Sequence, residues 1–260
     1  MKIILNPRYT EQADFIEALT RPGFFAENGT TLHNGRNTIK AFNLPNGPVA
    51  VKRYGHLSAF NRLIYGILRP SKAERAYRHA IRLRKLGIDT PEEVAVIEIR
   101  RHGLLKESYF VAVQSDYKPL RPVTELDTQR PEVAAILDAL TGFLFDMHEA
   151  GVLHKDLNIG NILYKETADG KYAFQVIDTN RMQFYGRLSR RKRLDNLRRL
   201  SCPTPAYLYI LDRYARRTNA NADSVQLEGA IMRLGFEMRQ RLKRGIKTTM
   251  RNWKHRKTEQ

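Results

Sequence analysis

The chain of 260 residues is 42% hydrophobic and 28% charged, which supports one or two lobes around a packed core and excludes a disordered, collagen-like or coiled-coil protein. Lys and Arg number 45 against 27 Asp and Glu, leaving a net charge of +18. Such a surface attracts polyanions, among them nucleic acids, anionic lipids and phosphorylated sugars. The single cysteine, Cys202, excludes an intrachain disulfide and is typical of a reducing compartment.

The positive charge is concentrated in the last third of the chain. Residues 187–260 hold 20 Lys and Arg against 6 Asp and Glu, a net of +14, and the residues before them carry only +4. The apolar run near the N-terminus is too short for a secretory signal, and no stretch approaches the roughly 20 apolar residues of a transmembrane helix. We therefore expect a soluble or peripheral protein that meets an anionic partner through its last third.

The residue pattern changes from mostly β in the first third to mostly helical further on. Strands are predicted at 30–42, 49–54, 93–101 and 109–114, where β-formers lie between turn residues. Apolar residues at helical spacing predict a helix over 72–86, with Gly87 as its C-cap, and a second helix over 132–150. The first third is thus expected to be an antiparallel meander with one helix.

The most informative motif begins at His154 and reads His-Lys-Asp-Leu-Asn-Ile-Gly-Asn-Ile-Leu. Its Asp156 and Asn161 have the spacing of the kinase catalytic-loop motif His-x-Asp-Leu-x-x-x-x-Asn, and an apolar pair further on ends in Asp178. Phosphoryl transfer uses a carboxylate near the acceptor hydroxyl, and a carboxylate with an amide oxygen to hold Mg²⁺ against nucleotide phosphates. We therefore predict that Asp156 is the catalytic base and that Asn161 and Asp178 bind the metal.

Upstream residues meet the other requirements of a kinase. Val49-Ala50-Val51-Lys52 matches the Val-Ala-Ile-Lys strand, whose lysine reaches the α- and β-phosphates. Glu74, near the start of the next helix, is predicted to orient Lys52, although alone it would indicate a surface partner of Arg78. The preceding turn has one glycine where a Gly-x-Gly-x-x-Gly loop has three, and its Gly35 and Arg36 are predicted to cover the phosphates.

With these motifs the chain resembles the protein-kinase-like superfamily, and within it the bacterial lipopolysaccharide core kinases that phosphorylate 3-deoxy-D-manno-octulosonic acid (Kdo) or heptose. The narrower resemblance is carried by the Asp-Leu-Asn-x-x-Asn-Ile-Leu loop and by Ile177-Asp178-x-Asn180-Arg181 before a basic helix. It implies a two-lobed α+β fold, with a small antiparallel β-rich N-lobe with one helix over 1–117 and a larger helical C-lobe over 118–260. It also implies ATP and Mg²⁺ as cofactors and a sugar hydroxyl of the lipid A inner core as acceptor.

The chain departs from the protein kinases of that superfamily in ways that bear on the acceptor. Asp178 is followed by Thr179-Asn180 rather than Phe-Gly, and no Ala-Pro-Glu follows. Protein Ser/Thr kinases usually carry a lysine two positions after the catalytic aspartate, and that position is Asn158 here. Peptide substrates are therefore not expected.

Two basic amphipathic segments follow. In residues 187–199, Arg190, Arg191 and Arg193 are predicted to bind lipid A phosphates or Kdo carboxylates; the alternative is a helix packed by its leucines with a solvated basic face. Residues 224–257 combine an apolar stripe that reaches Trp253 with a basic flank, which suits either packing on the helical lobe or binding an anionic membrane. We expect a cytoplasmic enzyme, peripheral on the inner face of the cytoplasmic membrane of a Gram-negative bacterium, acting on a lipid A-core glycolipid.

Three alternative functions fit parts of the pattern. A nucleic-acid-binding protein would explain the charge but not Asp156, Asn161 and Asp178, and no standard nucleic-acid motif is visible, so no nucleic-acid partner is expected. A pseudokinase or anion-binding module would account for the loss of glycines from the phosphate turn. An aminoglycoside-type phosphotransferase would share the catalytic loop without needing the basic C-terminal segment.

Overall fold

The structure, a computed structural model, describes residues 1–55 and 69–258. It divides the chain into two compact units. The first unit comprises Met1–Lys118, Asn161–Glu166 and Ala173–Met182, and the second comprises Pro119–Gly160, Thr167–Tyr172 and the chain from Gln183 onward. Within the described ranges, no helix has both the length and the apolar composition needed to cross a bilayer.

The first unit is built on a six-stranded antiparallel sheet with the order β1-β5-β6-β4-β3-β2. Its strands are β1 (Lys2–Leu5), β2 (Thr30–Asn34), β3 (Thr38–Leu44), β4 (Gly47–Tyr54), β5 (Glu93–Arg101) and β6 (Leu104–Val113). Because side chains alternate along a strand, Val49 and Val51 of β4 point to one face. There they pack with residues of the short helices α1 (Ala13–Ala18) and α2 (Phe24–Glu27).

The opposite face of the sheet is covered by α3 (Lys72–Lys85). Its Ala73 and Tyr77 pack against Tyr54 and Val96. The helix begins at Ser71, whose hydroxyl accepts a hydrogen bond from the backbone N–H of Glu74 at 3.1 Å, a common way to satisfy the first amides of a helix. It ends before Gly87, which adopts a positive φ of 75°, as predicted for a glycine C-cap.

Two segments assigned to the C-lobe by the sequence group with the first unit instead. They carry β9 (Ile162–Glu166) and β10 (Tyr172–Val176), which join β7 (Lys118–Pro119) in a small sheet. The reason is long-range hydrogen bonding: the backbone N–H of Val176 donates to Asp89 O at 3.1 Å, and the Thr90 hydroxyl donates to Val176 O at 2.7 Å. The chain therefore returns to the first unit twice after residue 118.

The second unit is mainly helical. Its elements are α4 (Arg121–Thr124), α5 (Pro131–Glu149), β8 (Val152–His154), most of β11 (Met182–Phe184), α6 (Arg190–Leu197), α7 (Thr204–Arg217) and α8 (Ala222–Thr258). Buried leucines of α5 and α6 form its core with Tyr207 and Ile210 of α7. Gly151 precedes β8 with a positive φ of 74°, and a Cβ there would lie 2.0 Å from Tyr185 O, so only glycine fits.

The apolar stripe of α8 faces solvent. Six of its large side chains are each 61–65% exposed: Leu227, Ile231, Leu234, Met238, Leu242 and Ile246. The helix itself was predicted, but packing of this stripe on the helical lobe is not observed in the described residues. The side chains of Met250 and Trp253 lie outside the described part of the chain.

Candidate active site

Lys52 and Asp178 are in direct contact in the first unit. The Lys52 ammonium lies 2.8 Å from Asp178 Oδ1, and the two side chains are 14% and 27% exposed. Lys52 is on an inner strand, paired with Ile39 of β3 and Phe110 of β6, and its ammonium lies 5.3 Å from the centroid of the Tyr54 ring. The lysine predicted to hold phosphates and the carboxylate predicted to hold the metal therefore meet on the α3 face of the sheet.

Asp178 is held in an unusual backbone conformation. Its φ of 58° and ψ of 47° are left-handed, a region that Asp tolerates better than most residues. Its carboxylate accepts a hydrogen bond from the Asn180 amide. The following residue, Thr179, fixes the turn on α3, because its hydroxyl donates to Ala76 O at 3.1 Å and its carbonyl oxygen lies 2.7 Å from His79 Nδ1. Strained residues supported in this way are typical of functional sites.

Asn161 is brought beside this turn by the backbone. Its carbonyl oxygen accepts a hydrogen bond from the N–H of Ile177 at 3.0 Å, so Asn161 and the residue before Asp178 are bonded neighbours. An amide oxygen and a carboxylate are a suitable donor set for Mg²⁺, which takes few protein ligands and completes its octahedron with phosphate and water oxygens. Among the described residues there is no cluster of three His, Cys, Asp or Glu side chains for a metal held by protein alone.

Glu74 does not contact Lys52. Its carboxylate is paired with Lys2 at 3.0 Å and with Arg78 one turn further along α3, and no ion pair joins it to Lys52 in the residues that the structure describes. This corrects the prediction that Glu74 orients Lys52. The cause is the rotation of α3, which places Glu74 beside Lys2 at the start of β1, and Asp178 is the partner of Lys52 instead.

The turn that carries Gly35 and Arg36 is attached to the end of β4. The N–H of Gly55 donates to the Asn37 side chain at 3.2 Å, and a Cβ on Gly55 would lie only 1.8 Å from the Arg36 carbonyl oxygen. The close approach requires glycine. Gly55, for which no sequence motif predicted a role, holds the predicted phosphate turn near the strand that carries Lys52.

Asp156 lies in the second unit, in a loop whose hydrogen bonds are mostly internal. Its N–H donates to His154 Nδ1 at 3.1 Å, and its carbonyl oxygen accepts from the Asn158 amide at 3.1 Å. Asn158 also accepts from the N–H of Gly160 at 2.9 Å. Asn158, which stands where protein kinases carry a lysine, thus shapes the loop. The fully buried side chains of Leu157 and Ile159 anchor it.

A buried network supports this loop from behind. Asn196 donates through Nδ2 to His154 O at 2.8 Å and presents Oδ1 to His148 Nε2 at 3.2 Å. Because that oxygen only accepts, Nε2 carries the proton, and His148 Nδ1 accepts from the Tyr214 hydroxyl at 2.8 Å. Burial lowers the pKa of His148 to about 4, so the imidazole is neutral. No sequence motif marks this network, because its members come from three different helices.

We expect the free energy of unfolding to decrease in acid because of His148. Its pKa is about 4 in the folded chain against an ordinary 6.5, so between these values only the unfolded state binds the proton. The free energy of unfolding is therefore greatest above pH 6.5 and decreases toward pH 4, by about 3 kcal/mol from this group. Urea unfolding at a series of pH values measures the slope. H148Q should flatten it and H33Q, at an exposed histidine, should not; an unchanged slope in H148Q would contradict the assignment.

Of the three arginines predicted to bind substrate, two are engaged internally. Arg193 is paired with Glu149 and donates to Leu188 O at 3.1 Å, and its side chain is 11% exposed. Arg190 joins α6 to α8 through Glu228 at 2.9 Å and Ser224 at 3.0 Å. Arg191 is exposed and lines a groove between α6 and α8 together with Arg198 and Arg239. Only Arg191 of the three thus remains well placed to meet a large anionic ligand.

Comparison with known proteins agrees with the motifs. Residues 54–222 match the model of the Lipopolysaccharide kinase (Kdo/WaaP) family. A solved structure described as "WaaP in complex with acyl carrier protein" has a similar fold, with a TM-score of 0.58 and 20% sequence identity over 94% of this chain and 99% of that one. No curated protein matches the sequence.

These findings confirm the predicted fold class, an α+β protein-kinase-like fold, and the predicted family. The family match covers more than half of the chain and includes the catalytic loop and the Asp178 turn. The chain therefore belongs to the lipopolysaccharide kinase (Kdo/WaaP) family, whose members are phosphotransferases that act on sugar hydroxyls of the lipopolysaccharide core.

Proposed function

We propose that this kinase transfers the γ-phosphoryl group of MgATP to a hydroxyl of Kdo or heptose in the inner core of a lipid A glycolipid. The observation that carries the nucleotide part is the 2.8 Å contact between Lys52 and Asp178. It places a cation suited to the α- and β-phosphates beside a carboxylate suited to the metal, and phosphoryl transfer uses both groups on the nucleotide. The sugar acceptor follows from the family.

Each predicted site residue would have a distinct role. Lys52 would bind phosphate oxygens, and Asn161 and Asp178 would offer oxygens to Mg²⁺, which when bound neutralises charge on the phosphates. Asp156 would take the proton of the acceptor hydroxyl as the hydroxyl oxygen bonds to the γ-phosphorus. The bond from that phosphorus to the β-γ bridging oxygen breaks, and ADP leaves.

The test is ADP release from MgATP with three acceptors offered separately: Kdo-lipid A, a heptosylated core, and an aminoglycoside. We expect release with one of the two glycolipids and its absence with the aminoglycoside. Release with the aminoglycoside alone would assign the chain to small-molecule phosphotransferases. Binding of MgATP without release in any mixture containing a glycolipid would favour a pseudokinase.

We also propose that the enzyme works on the anionic cytoplasmic surface of the inner membrane and binds it through α8. The exposed stripe of α8 lies on the same helix as Arg239, Arg241, Lys243 and Arg244, all of them at least partly exposed. An apolar face bordered by cations is the arrangement that binds anionic bilayers, where each basic residue near the surface contributes about 1 kcal/mol.

Removing part of the stripe should weaken membrane binding. We expect the variant L234Q/M238Q/L242Q to lose most of its binding to vesicles with anionic lipid, because the three side chains are exposed and the fold does not depend on them. Co-sedimentation with anionic and neutral vesicles measures this, with L126Q, at another exposed leucine, as control. Equal binding of the wild type to both vesicles would contradict the proposal. The similar WaaP structure contains acyl carrier protein, and binding to that protein but not to vesicles would assign α8 to a protein partner.

A further inference from the structure

Lys72 is a half-buried lysine to which no motif assigned a role. It begins α3, directly after Ser71, and within the described part of the chain its ammonium has no hydrogen-bond or ion-pair partner. Burying a cation without a partner is costly. A bound anionic ligand would give the Lys72 ammonium the partner that the residues described in the structure do not provide.

The packing of α3 places Lys72 on the side of the Asp178 turn. Ala76 and His79 both contact Thr179, through the hydrogen bonds of 3.1 Å and 2.7 Å. Residues three, four and seven apart share one face of a helix, so Lys72 lies on the face that carries Ala76 and His79. Glu74 lies on a different face and is taken by Lys2 and Arg78. The helix thus directs the cation of Lys72 toward the Asp178 turn, whereas the carboxylate of Glu74, which was predicted to orient Lys52, lies elsewhere.

The surroundings of Lys72 are mainly cationic. Burial lowers its pKa, and the charges of Arg36, Arg181 and Arg75 lower it further, whereas Asp178 acts in the opposite direction. Arg36 reaches this region because Gly55 holds its turn at the end of β4. Asp178 is already paired with Lys52. A polyphosphate would relieve the repulsion between these cations.

We propose that Lys72 is a second phosphate-binding lysine, which acts with Lys52 and Arg36 on the triphosphate of the nucleotide. This inference rests on the proposed function. It explains how a turn with a single glycine can bind the nucleotide phosphates. Cationic side chains supply the phosphate contacts that backbone amides supply in a glycine-rich loop. Lys72 and Lys52 both lie on the side of Asp178. The ligand of Lys72 is therefore the triphosphate rather than an anionic group of the acceptor.

The test compares K72M with K72R and with K85M, which removes an exposed lysine at the other end of the same helix. We expect K72M to weaken MgATP binding by about 10- to 100-fold, as loss of a charge-assisted hydrogen bond does, and to leave adenosine binding unchanged. K72R should restore MgATP binding to within about threefold of wild type, and K85M should have no effect. Calorimetric titration measures all four proteins.

A stability measurement separates this role from a structural one. Since the neighbours of Lys72 repel it, K72M should melt at the same temperature as the wild type or higher. MgATP should raise the melting temperature of K72M by less than it raises that of the wild type. A lower melting temperature together with unchanged MgATP affinity would overturn the inference. So would a change in KM for the glycolipid alone. If the wild type binds no MgATP, the proposed function itself fails before any variant is compared.

Discussion

D156N is expected to lower kcat for phosphoryl transfer by about 10²- to 10⁴-fold, the usual contribution of a general base, while MgATP binding stays at the wild-type level. The substitution keeps the shape of the side chain and removes its ability to accept a proton. The loop should survive, because its hydrogen bonds to His154 and Asn158 use the backbone N–H and carbonyl of Asp156. Single-turnover ADP formation with saturating glycolipid measures the chemical step directly.

The matched control is D146N, at an exposed aspartate of α5 in the same unit. It makes the same change in charge and should leave kcat unchanged. Circular dichroism melting of both variants verifies that the fold is intact. Turnover by D156N within about threefold of wild type would remove Asp156 from the reaction and leave its motif as a structural feature.

The local parts of the fold were predictable from the sequence. The helix over 72–86 and its glycine C-cap depend on the periodicity of neighbouring residues and on the freedom of Gly87, and both were found. The strand expected at 109–114 instead begins at Leu104, because His102 and Gly103 both adopt positive φ and form a tight hairpin. A His-Gly pair is a weaker turn signal than Asn-Gly, so the sequence pattern placed the start too late.

The parts that failed depend on contacts between residues distant in sequence. Glu74 was assigned to Lys52 because it lies near the start of the helix that follows the lysine strand. The rotation of α3 about its own axis decides which side chain faces Lys52 and Asp178, and the order of elements along the chain does not fix that rotation. Arg193 was assigned to substrate because it lies in a basic run, yet Glu149, 44 residues earlier, pairs with it. Charge counts cannot distinguish such an internal pair from an exposed cation.

In the candidate site, too, local patterns were predictable from the sequence and long-range contacts were not. The motif around Asp156 and the strand of Lys52 were found because each is a short, local pattern. Gly55 and the His148–Asn196 network were missed because their roles come from a close approach to Arg36 O and from bonds across three helices. Supporting residues of this kind become visible only when the chain is folded.

D178N is expected to abolish detectable turnover, a loss of at least about 10³-fold, because it removes the carboxylate that would hold Mg²⁺, the ion that neutralises charge on the γ-phosphoryl group. Asparagine also tolerates the left-handed conformation that residue 178 adopts, so the backbone of the turn should persist. Loss of the pair with Lys52 should cost at most about 1 kcal/mol of stability, since both side chains are partly exposed.

The metal assignment has a readout other than activity. Mn²⁺ binding followed by electron paramagnetic resonance should show one ATP-dependent site in the wild type and a large loss of affinity in D178N. D169N is the control, because Asp169 is an exposed aspartate in the loop before β10. Wild-type Mn²⁺ affinity or retained turnover in D178N would remove Asp178 from the metal site.

A double-mutant cycle with K52M separates the two roles of the Lys52–Asp178 contact. Without nucleotide, the cycle should give a small favourable coupling in the free energy of unfolding, because the two side chains form an ion pair. With MgATP bound, Lys52 should turn to the phosphates and Asp178 to the metal, so each single variant should weaken MgATP binding through a different part of the ligand. K52M should reduce affinity for ATP with or without Mg²⁺, and D178N should reduce it only when Mg²⁺ is present. Identical metal dependence of the two variants would show that the contact is a structural ion pair.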